Sequence, residues 1–314
     1  MACYHPLDAW HHPSEKKPLL SYNPKLCHSV VPDFTLPCGR CVGCRLDRSR
    51  KWAIRCMHEA QMHADNCFIT LTYDDLKLPE RPEGIAPANI SLHYPDFQKF
   101  MKRLRKAFRR KNVRFYMAGE YGENFGRPHF HACLFGLDFP DRDFLSRSPS
   151  GSVIYRSAIL EKLWPFGFSS VGDFDFKSAA YVARYCMKKI TGDAADAHYE
   201  TIDPLTGEIF WREPEFNRMS LKPGIGATWF DKYKTDVFPH DHVIVNSKPV
   251  GVPRYYDKLF ERADCDNLHT LEVKIKPDRL KKAQLFIDDN TPERLLVKEQ
   301  VAHANLVRLK RKLA

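Results

Sequence analysis

Two histidines in the segment PHFHACLF, His129 and His131, are separated by a single phenylalanine. In a β-strand, residues i and i+2 project from the same face about 7 Å apart, so these imidazoles would lie side by side as metal ligands. Glu120, on a predicted preceding strand, would be a third ligand if the two strands pair antiparallel, and Glu123 in the turn is the alternative. Two imidazoles and a carboxylate suit a divalent cation that also binds a phosphate oxygen. Without a metal, the pair would simply be two hydrogen-bonded histidines.

A second pattern is the segment YVARYCMKK, which carries Tyr181, Tyr185 and, three residues further on, Lys188. On a helix these three side chains share one face. A phenol with a pKa of about 10 is a weak nucleophile at neutral pH, but nearby cations and a metal-polarised phosphate favour its attack on a phosphodiester. The phosphotyrosine product keeps the bond energy for later rejoining. The alternative is an amphipathic helix whose aromatic side chains only pack in a core.

The ten cysteines favour metal ligands or free thiols over disulfides, given a reducing compartment. Cys38, Cys41 and Cys44 form the spacing C-x-x-C-x-x-C, which predicts a tetrahedral structural Zn²⁺ with Cys56 or Cys27 as the fourth ligand. An iron–sulfur cluster fits less well, because the fourth cysteine does not fall at the bacterial ferredoxin spacing.

Hydrophobic periodicity predicts an α+β fold that positions these residues on an antiparallel sheet with flanking helices. The predicted core, residues 60–192, has strands at 67–73, 113–121, 129–135 and 168–176 and helices at 94–111, 154–164 and 178–190. An N-terminal segment, 1–59, would contain the cysteines and a basic helix. The extension 193–314 is predicted to be irregular, with a hairpin at 199–212, loops to about 270 and a basic terminal helix starting at Thr291.

Charge points to a polyanionic partner. Lys and Arg number 49 against 39 Asp and Glu, a formal net charge of +10. Between Lys99 and Lys111 the chain has eight cations and no acid, which predicts a surface for a nucleic-acid backbone. No stretch approaches the roughly 20 apolar residues of a membrane helix, and no signal-peptide layout is present, so we expect a cytoplasmic protein without a membrane partner.

Four segments in order resemble one known group of proteins. PCGRCVGCRLDRSRKWAIRC, FITLTYDD, AGEYGENFGRPHFHACLFG and YVARYCMKK are similar to segments of the HUH endonucleases (histidine, hydrophobic residue, histidine). Within that superfamily they resemble the rolling-circle replication initiation proteins of gokushovirus-type phages, the Microviridae. The resemblance covers about 37–192 well and 215–260 more loosely.

The resemblance implies a ferredoxin-like sheet with the histidines on a central strand. His129 and His131 match the histidine ligands of a Mg²⁺ or Mn²⁺ ion, and Glu120 would be the acidic third ligand. Tyr181 and Tyr185 match the paired tyrosines of two-tyrosine initiators.

Lys188 occupies the place of the lysine that accompanies those tyrosines. Such proteins nick single-stranded DNA at the phage replication origin, become joined to the 5′ end and later ligate unit-length circles. The implied partners are the origin and the host replication machinery, in the cytoplasm of a bacterial host. The alternatives are a relaxase- or transposase-type HUH nuclease and a zinc-bearing DNA-binding protein without catalysis.

Overall fold

The histidine segment forms an inner strand of a seven-stranded antiparallel sheet. The computed structural model describes residues 3–15, 17–81, 85–122, 126–148, 151–184, 189, 194–203, 206–263 and 265–313. The strands are β1 Leu7–Ala9, β2 Phe34–Leu36, β3 Asn66–Tyr73, β4 Arg114–Tyr121, β5 Pro128–Phe135, β6 Asp143–Arg147, β7 Val153–Arg156, β8 Gly167–Asp173, β9 Glu200–Ile202, β10 Ile209–Trp211, β11 Phe216–Met219, β12 His242–Val245 and β13 Lys248–Gly251.

The helices alternate with these strands along much of the chain. They are α1 Val42–Ala60, α2 Tyr94–Ala107, α3 Ala158–Leu163, α4 Phe176–Arg184, α5 Ala194–Tyr199, α6 Ala227–Val237, α7 Arg254–Ala263, α8 Cys265–Thr270, α9 Lys276–Gln284 and α10 Pro292–Leu313. Within this described part, no helix has both the length and the apolar composition that crossing a membrane requires. The predicted α+β fold with a large antiparallel sheet is confirmed.

The chain divides into two compact units. One unit is residues 49–268, and the other combines residues 1–48 with 269–314. The three segments predicted from the sequence, 1–59, 60–192 and 193–314, stay a prediction.

The large sheet lies in the 49–268 unit, with the strand order β11-β4-β5-β3-β8-β7-β6. Because side chains alternate between the faces of a strand, each strand contributes to two different layers. On one face, Ile69, Leu71 and Phe130 pack in a core with Phe97 and Phe100 of α2. The other face carries the histidines.

That second face is covered by α1 and α4. Ala53 and Cys56 of α1 and Ala179, Val182 and Ala183 of α4 share a core with the sheet residues Tyr116, Ala118, Cys133 and Phe135. The small residues of α4 allow this helix to approach the sheet closely. The histidine face of β5 therefore lies on the side that carries the tyrosine helix.

A buried ion pair ties α1 to this face of the sheet. Glu59 accepts hydrogen bonds from the side chain of Arg114 and from the N–H of Gly226, the latter at 2.6 Å. Burial alone would raise the pKa of Glu59, but hydrogen bonds from His63 and Gly226 and the charge of Arg114 lower it. The carboxylate is therefore held in its charged form inside the unit.

The helix predicted at 154–164 is wrong in its first part. Val153–Arg156 forms β7, in which Ile154 and Tyr155 pair with Gly172 and Val171 of β8. The helix starts only after Ser157, whose side chain accepts a hydrogen bond from the N–H of Leu160. Pairing with neighbouring strands decides the conformation of a short apolar run that local pattern leaves ambiguous.

The extension is more regular than predicted. The expected loops before 270 contain β11, α6, β12, β13, α7 and α8. β11 pairs with β4 at the edge of the large sheet, with Phe216 opposite Gly119. The hairpin predicted at 199–212 is confirmed as β9 and β10, with Ile202 opposite Ile209.

In the unit made of 1–48 and 269–314, β1 and β2 form an antiparallel pair in which Leu7 is opposite Leu36. The predicted terminal helix is confirmed as α10, and Thr291 Oγ1 accepts a hydrogen bond from the N–H of Arg294 at 3.4 Å. His5 Nε2 contacts Glu299 Oε2 at 2.7 Å.

Candidate active site on the histidine strand

Strand register places the predicted ligands on one face of the sheet. β5 pairs with β4 on one side, where His129 is opposite Glu120, and with β3 on the other. On β3, Thr72 is opposite His129 and Thr70 is opposite His131. Directly opposed residues of paired strands point to the same side, so all five side chains share the face covered by α4.

Glu120 and His131 form the buried part of this group. His131 Nε2 donates a hydrogen bond to Glu120 Oε1 at 2.8 Å, and the two residues are 6% and 3% exposed, His131 first. An imidazole held against a carboxylate in this way keeps a fixed ring orientation. The prediction that Glu120 reaches the histidine strand holds in this geometry.

Two threonines hold the imidazoles from the opposite side. Thr70 Oγ1 lies 2.9 Å from His131 Nδ1, and Thr72 Oγ1 lies 2.8 Å from His129 Nδ1. With Nδ1 engaged by a hydroxyl, Nε2 is the nitrogen placed to coordinate a metal. A hydroxyl donates as well as accepts, so it can hold the ring in either tautomer.

Sequence reasoning missed both threonines. The available signal was the spacing of FITLTY, because its two threonines recur at i and i+2, the same period as the histidines. What the sequence did not contain was the register that puts each hydroxyl opposite one imidazole.

His129 is placed differently from His131. The two ring centroids are 6.1 Å apart, and a Cβ added at Gly122 would lie 2.8 Å from His129 Nε2, so this nitrogen lies close to the glycine backbone. Glu120, His129 and His131 do not bring all their ligand atoms within 4.8 Å of one another, a convergence that among the described residues occurs only at a group of cysteines. The donor types fit Mg²⁺ or Mn²⁺, and binding by all three ligands requires the His129 side chain to rotate.

Tyr181 reaches this group from α4. Its ring meets the ring of His131 edge to face, with the centroids 5.3 Å apart, and also meets Phe68 at 6.2 Å. The side chain is 41% exposed, so a strand of nucleic acid can approach the phenol from solvent. Tyr185 and Lys188, the other predicted catalytic residues, lie outside the described residues, as does Glu123.

Comparison with known proteins places the chain among phage proteins. A family model for replication-associated proteins of the ORF2 type matches residues 66–190, the segment that contains β3, the histidine strand and the tyrosine helix. The replication-associated protein ORF2 of Spiroplasma virus 4 is 32% identical over 266 residues, which cover 82% of this chain and 78% of the relative. The chain belongs to the family of phage replication-associated proteins.

A second relative in this family, the replication-associated protein VP4 of Bdellovibrio phage phiMH2K, is 31% identical over 81% of this chain and 76% of the relative. A third, the replication-associated protein ORF4 of Chlamydia phage 1, is 29% identical over 73% of this chain and 54% of the relative. The predicted relation to replication proteins of Microviridae-type phages is thus confirmed. No solved structure matches the chain.

The cysteine prediction needs one correction. Cys38, Cys41 and Cys44 do come together, but the fourth thiol beside them is that of Cys3. Cys56 is instead fully buried in the apolar core of the 49–268 unit, beside Ala53 and Tyr116. Cys27, the other candidate, accepts a hydrogen bond from the N–H of Asn23 at 3.3 Å.

The cations of the helix predicted at 94–111 lie mostly at the surface. Exposed residues of this group are Lys99, Lys102, Arg105, Lys106, Arg109, Arg110 and Lys111. Arg103 is half-buried and donates to the carbonyl oxygen of Leu163 at 2.9 Å. The opposite face of α2 is apolar and buried in the sheet core, so the cations are confined to the outer face.

Proposed function

We propose that this family member initiates phage DNA replication by nicking single-stranded DNA at an origin, with Tyr181 as the nucleophile in a metal-dependent reaction. The observation that carries the proposal is the contact between Tyr181 and His131, whose Nε2 is hydrogen-bonded to Glu120. A phenol on a helix and a ligand set on a sheet meet at one place in the fold.

The proposed reaction is a phosphodiester exchange. Tyr181 Oη attacks the phosphorus and loses its proton, the bond from phosphorus to the 3′ oxygen breaks, and that oxygen leaves as a protonated 3′ hydroxyl. The DNA 5′ phosphate is then joined to the tyrosine. Attack by a 3′ hydroxyl on this linkage reverses the step and rejoins a strand without a nucleotide cofactor.

Glu120, His129 and His131 would hold the Mg²⁺ or Mn²⁺ ion. When bound, the ion supplies positive charge that stabilises the phosphate oxygens during displacement. Thr70 and Thr72 orient the two imidazoles so that Nε2 faces the reacting group.

The proposal extends to residues and partners that rest on the sequence. Tyr185 would make the second cut while Tyr181 still holds its strand, and Lys188 would favour the charged phenolate. The exposed cations of α2 would bind the DNA backbone. The partners would be the phage origin and the replication machinery of a bacterial host, in whose cytoplasm the protein would act.

A covalent adduct tests this function. The full-length protein is incubated with an origin-containing single strand and Mn²⁺, and the adduct is measured on a denaturing gel. We expect an adduct that EDTA prevents and that the double variant Tyr181→Phe/Tyr185→Phe does not form. Tyr22→Phe is the matched control, because Tyr22 is exposed to the same extent as Tyr181 but lies in the other unit.

The control variant is expected to form adduct at the wild-type rate. An adduct that persists in the double variant would overturn the nucleophile assignment. DNA binding without any adduct would favour the alternative of a zinc-bearing DNA-binding protein. The names of the relatives favour a replication protein over a relaxase or transposase.

A further inference from the structure

We propose that Cys3, Cys38, Cys41 and Cys44 bind one structural zinc ion through four thiolates, and that Cys3 is the ligand that closes the site. These cysteines lie outside the region matched by the replication family model, so the proposal goes beyond the nicking function. The site belongs wholly to the unit made of residues 1–48 and 269–314.

The first support is convergence. The four Sγ atoms all lie within 4.8 Å of one another. A tetrahedral zinc with Zn–S bonds of about 2.3 Å places its sulfurs about 3.8 Å apart, so the thiols need only small movements to enclose the ion. Four thiols this close are too crowded for an iron–sulfur cubane, whose cysteine ligands surround four iron atoms.

The second support is the direction of the backbone N–H groups, which donate to the sulfurs. The N–H of Cys41 donates to Cys38 Sγ at 3.3 Å, and the N–H of Cys44 donates to Cys41 Sγ at 3.5 Å. Such hydrogen bonds stabilise the negative charge of a thiolate. Gly39, at a φ of 74°, makes the tight turn between the first two of these cysteines, which a residue with a Cβ would adopt only with strain.

Cys3 receives and organises the same kind of contact. The N–H of Cys38 donates to Cys3 Sγ at 3.2 Å, and the N–H of Tyr4 donates to Cys41 Sγ at 3.3 Å. The two segments therefore exchange hydrogen bonds through their sulfurs in both directions.

The β1–β2 pair explains why residue 3 arrives there. Leu7 is opposite Leu36 and Ala9 is opposite Phe34, so continuing this register brings residue 3 level with residue 40. That position lies between Cys38 and Cys41. A pairing between strands that are distant in sequence thus delivers the fourth thiol.

Burial and size argue that such a site is structural. Cys3 is 4% exposed and Cys41 is 8% exposed, and four thiolates fill the tetrahedron, so no position remains for a substrate. Within the described part of this unit, the buried apolar side chains are few: Ala9, Trp10, Val42, Leu271, Ile275 and Leu295, besides the two cysteines. Small units with little apolar core commonly depend on a metal for stability.

Metal analysis of cysteine variants tests the site. The full-length protein is purified under reducing conditions without chelator, and its zinc and iron are measured by mass spectrometry. We expect one zinc per chain in the wild type, loss of that zinc in Cys3→Ser, and full retention in Cys27→Ser. Cys27 is the matched control because it lies in the same unit, half-buried, outside the group of four.

Iron in place of zinc, absence of metal, or equal zinc loss in both variants would overturn the proposal. A second measurement keeps the test valid if Cys3→Ser fails to fold. In the wild-type protein, iodoacetamide should modify Cys27 while the four ligands stay protected until a strong chelator is added. Modification of Cys38 and Cys44 at the rate of Cys27, before chelation, would contradict a bound ion.

Discussion

The histidine site and the cysteine site differ in how the backbone positions their ligands. On the sheet, register places Glu120, His129 and His131 on one face, yet their ligand atoms do not all converge. In the cysteine site, N–H groups of a tight turn donate to the sulfurs, and all four thiols lie within 4.8 Å. A sheet fixes the direction of a side chain, whereas a turn folded around sulfur also fixes its distance.

The difference corresponds to two kinds of metal chemistry. A structural zinc site is closed by four protein ligands, whereas a catalytic site has fewer ligands and an open position for water or substrate. His131 lies next to the exposed Tyr181, so the sheet site is open on the side where a phosphate would bind. The predictions below test whether the two sites behave as one closed and one open site.

Loss of His131 should have the largest effect and should affect only the open site. His131→Ala removes a ligand, the partner of Glu120 and the ring beside Tyr181. Because a catalytic metal contributes several kcal/mol to the barrier, we expect adduct formation to slow by about 10³-fold or more. Zinc content, measured on the same preparation, should stay at the wild-type value. Zinc loss in this variant would show that the two sites are not independent.

Loss of a threonine hydroxyl should weaken the open site without destroying it. Thr70→Val removes the group that holds His131 Nδ1, and we expect the Mn²⁺ concentration for half-maximal adduct formation to rise by about 10- to 100-fold. Thr70→Ser keeps the hydroxyl and should remain close to wild type. Equal effects of valine and serine would mean that the residue only fills space.

Low pH should destabilise the fold through a histidine outside both sites. His58 stacks on Trp229 and its Nδ1 lies 2.9 Å from the Tyr256 hydroxyl. Burial lowers the pKa of His58 from 6.5 to about 3. Between these values the unfolded chain binds a proton that the folded protein does not bind. Stability is therefore complete above pH 6.5 and falls as the pH drops, by about 1.4 kcal/mol per pH unit for this one group.

Urea unfolding between about pH 7 and pH 5 measures this slope, and His58→Gln should flatten it. The comparison matters because protonation of ligands also weakens both metal sites at low pH. A slope unchanged by His58→Gln would assign the acid sensitivity to other groups.

Local patterns were sufficient for the elements that carry the open site. Alternation predicted β3, β4 and β5 to within a residue, and the apolar face of α2 was evident from helical spacing. The position of Tyr181 beside the histidines followed from the family resemblance and is now described. Tyr185 and Lys188 remain predictions.

Features that depend on distant pairing were missed. β11 joins the sheet only through β4, about a hundred residues earlier in the chain, and nothing local marks it as a strand. The choice of Cys3 over Cys56 has the same cause, because it depends on β1 meeting β2 across a long connection. Thr70 and Thr72 needed the β3–β5 register.

The position of β5 between β3 and β4 restricts how this gene can change in length. Because both edges of β5 are paired, deletion of one residue within it would exchange its two faces. The imidazoles of His129 and His131 would then enter the apolar layer beneath α2, and Phe130 would take their place beside Tyr181. Related phages can therefore vary freely in the connections beyond the strand, whereas the eight codons of Pro128–Phe135 must keep their number.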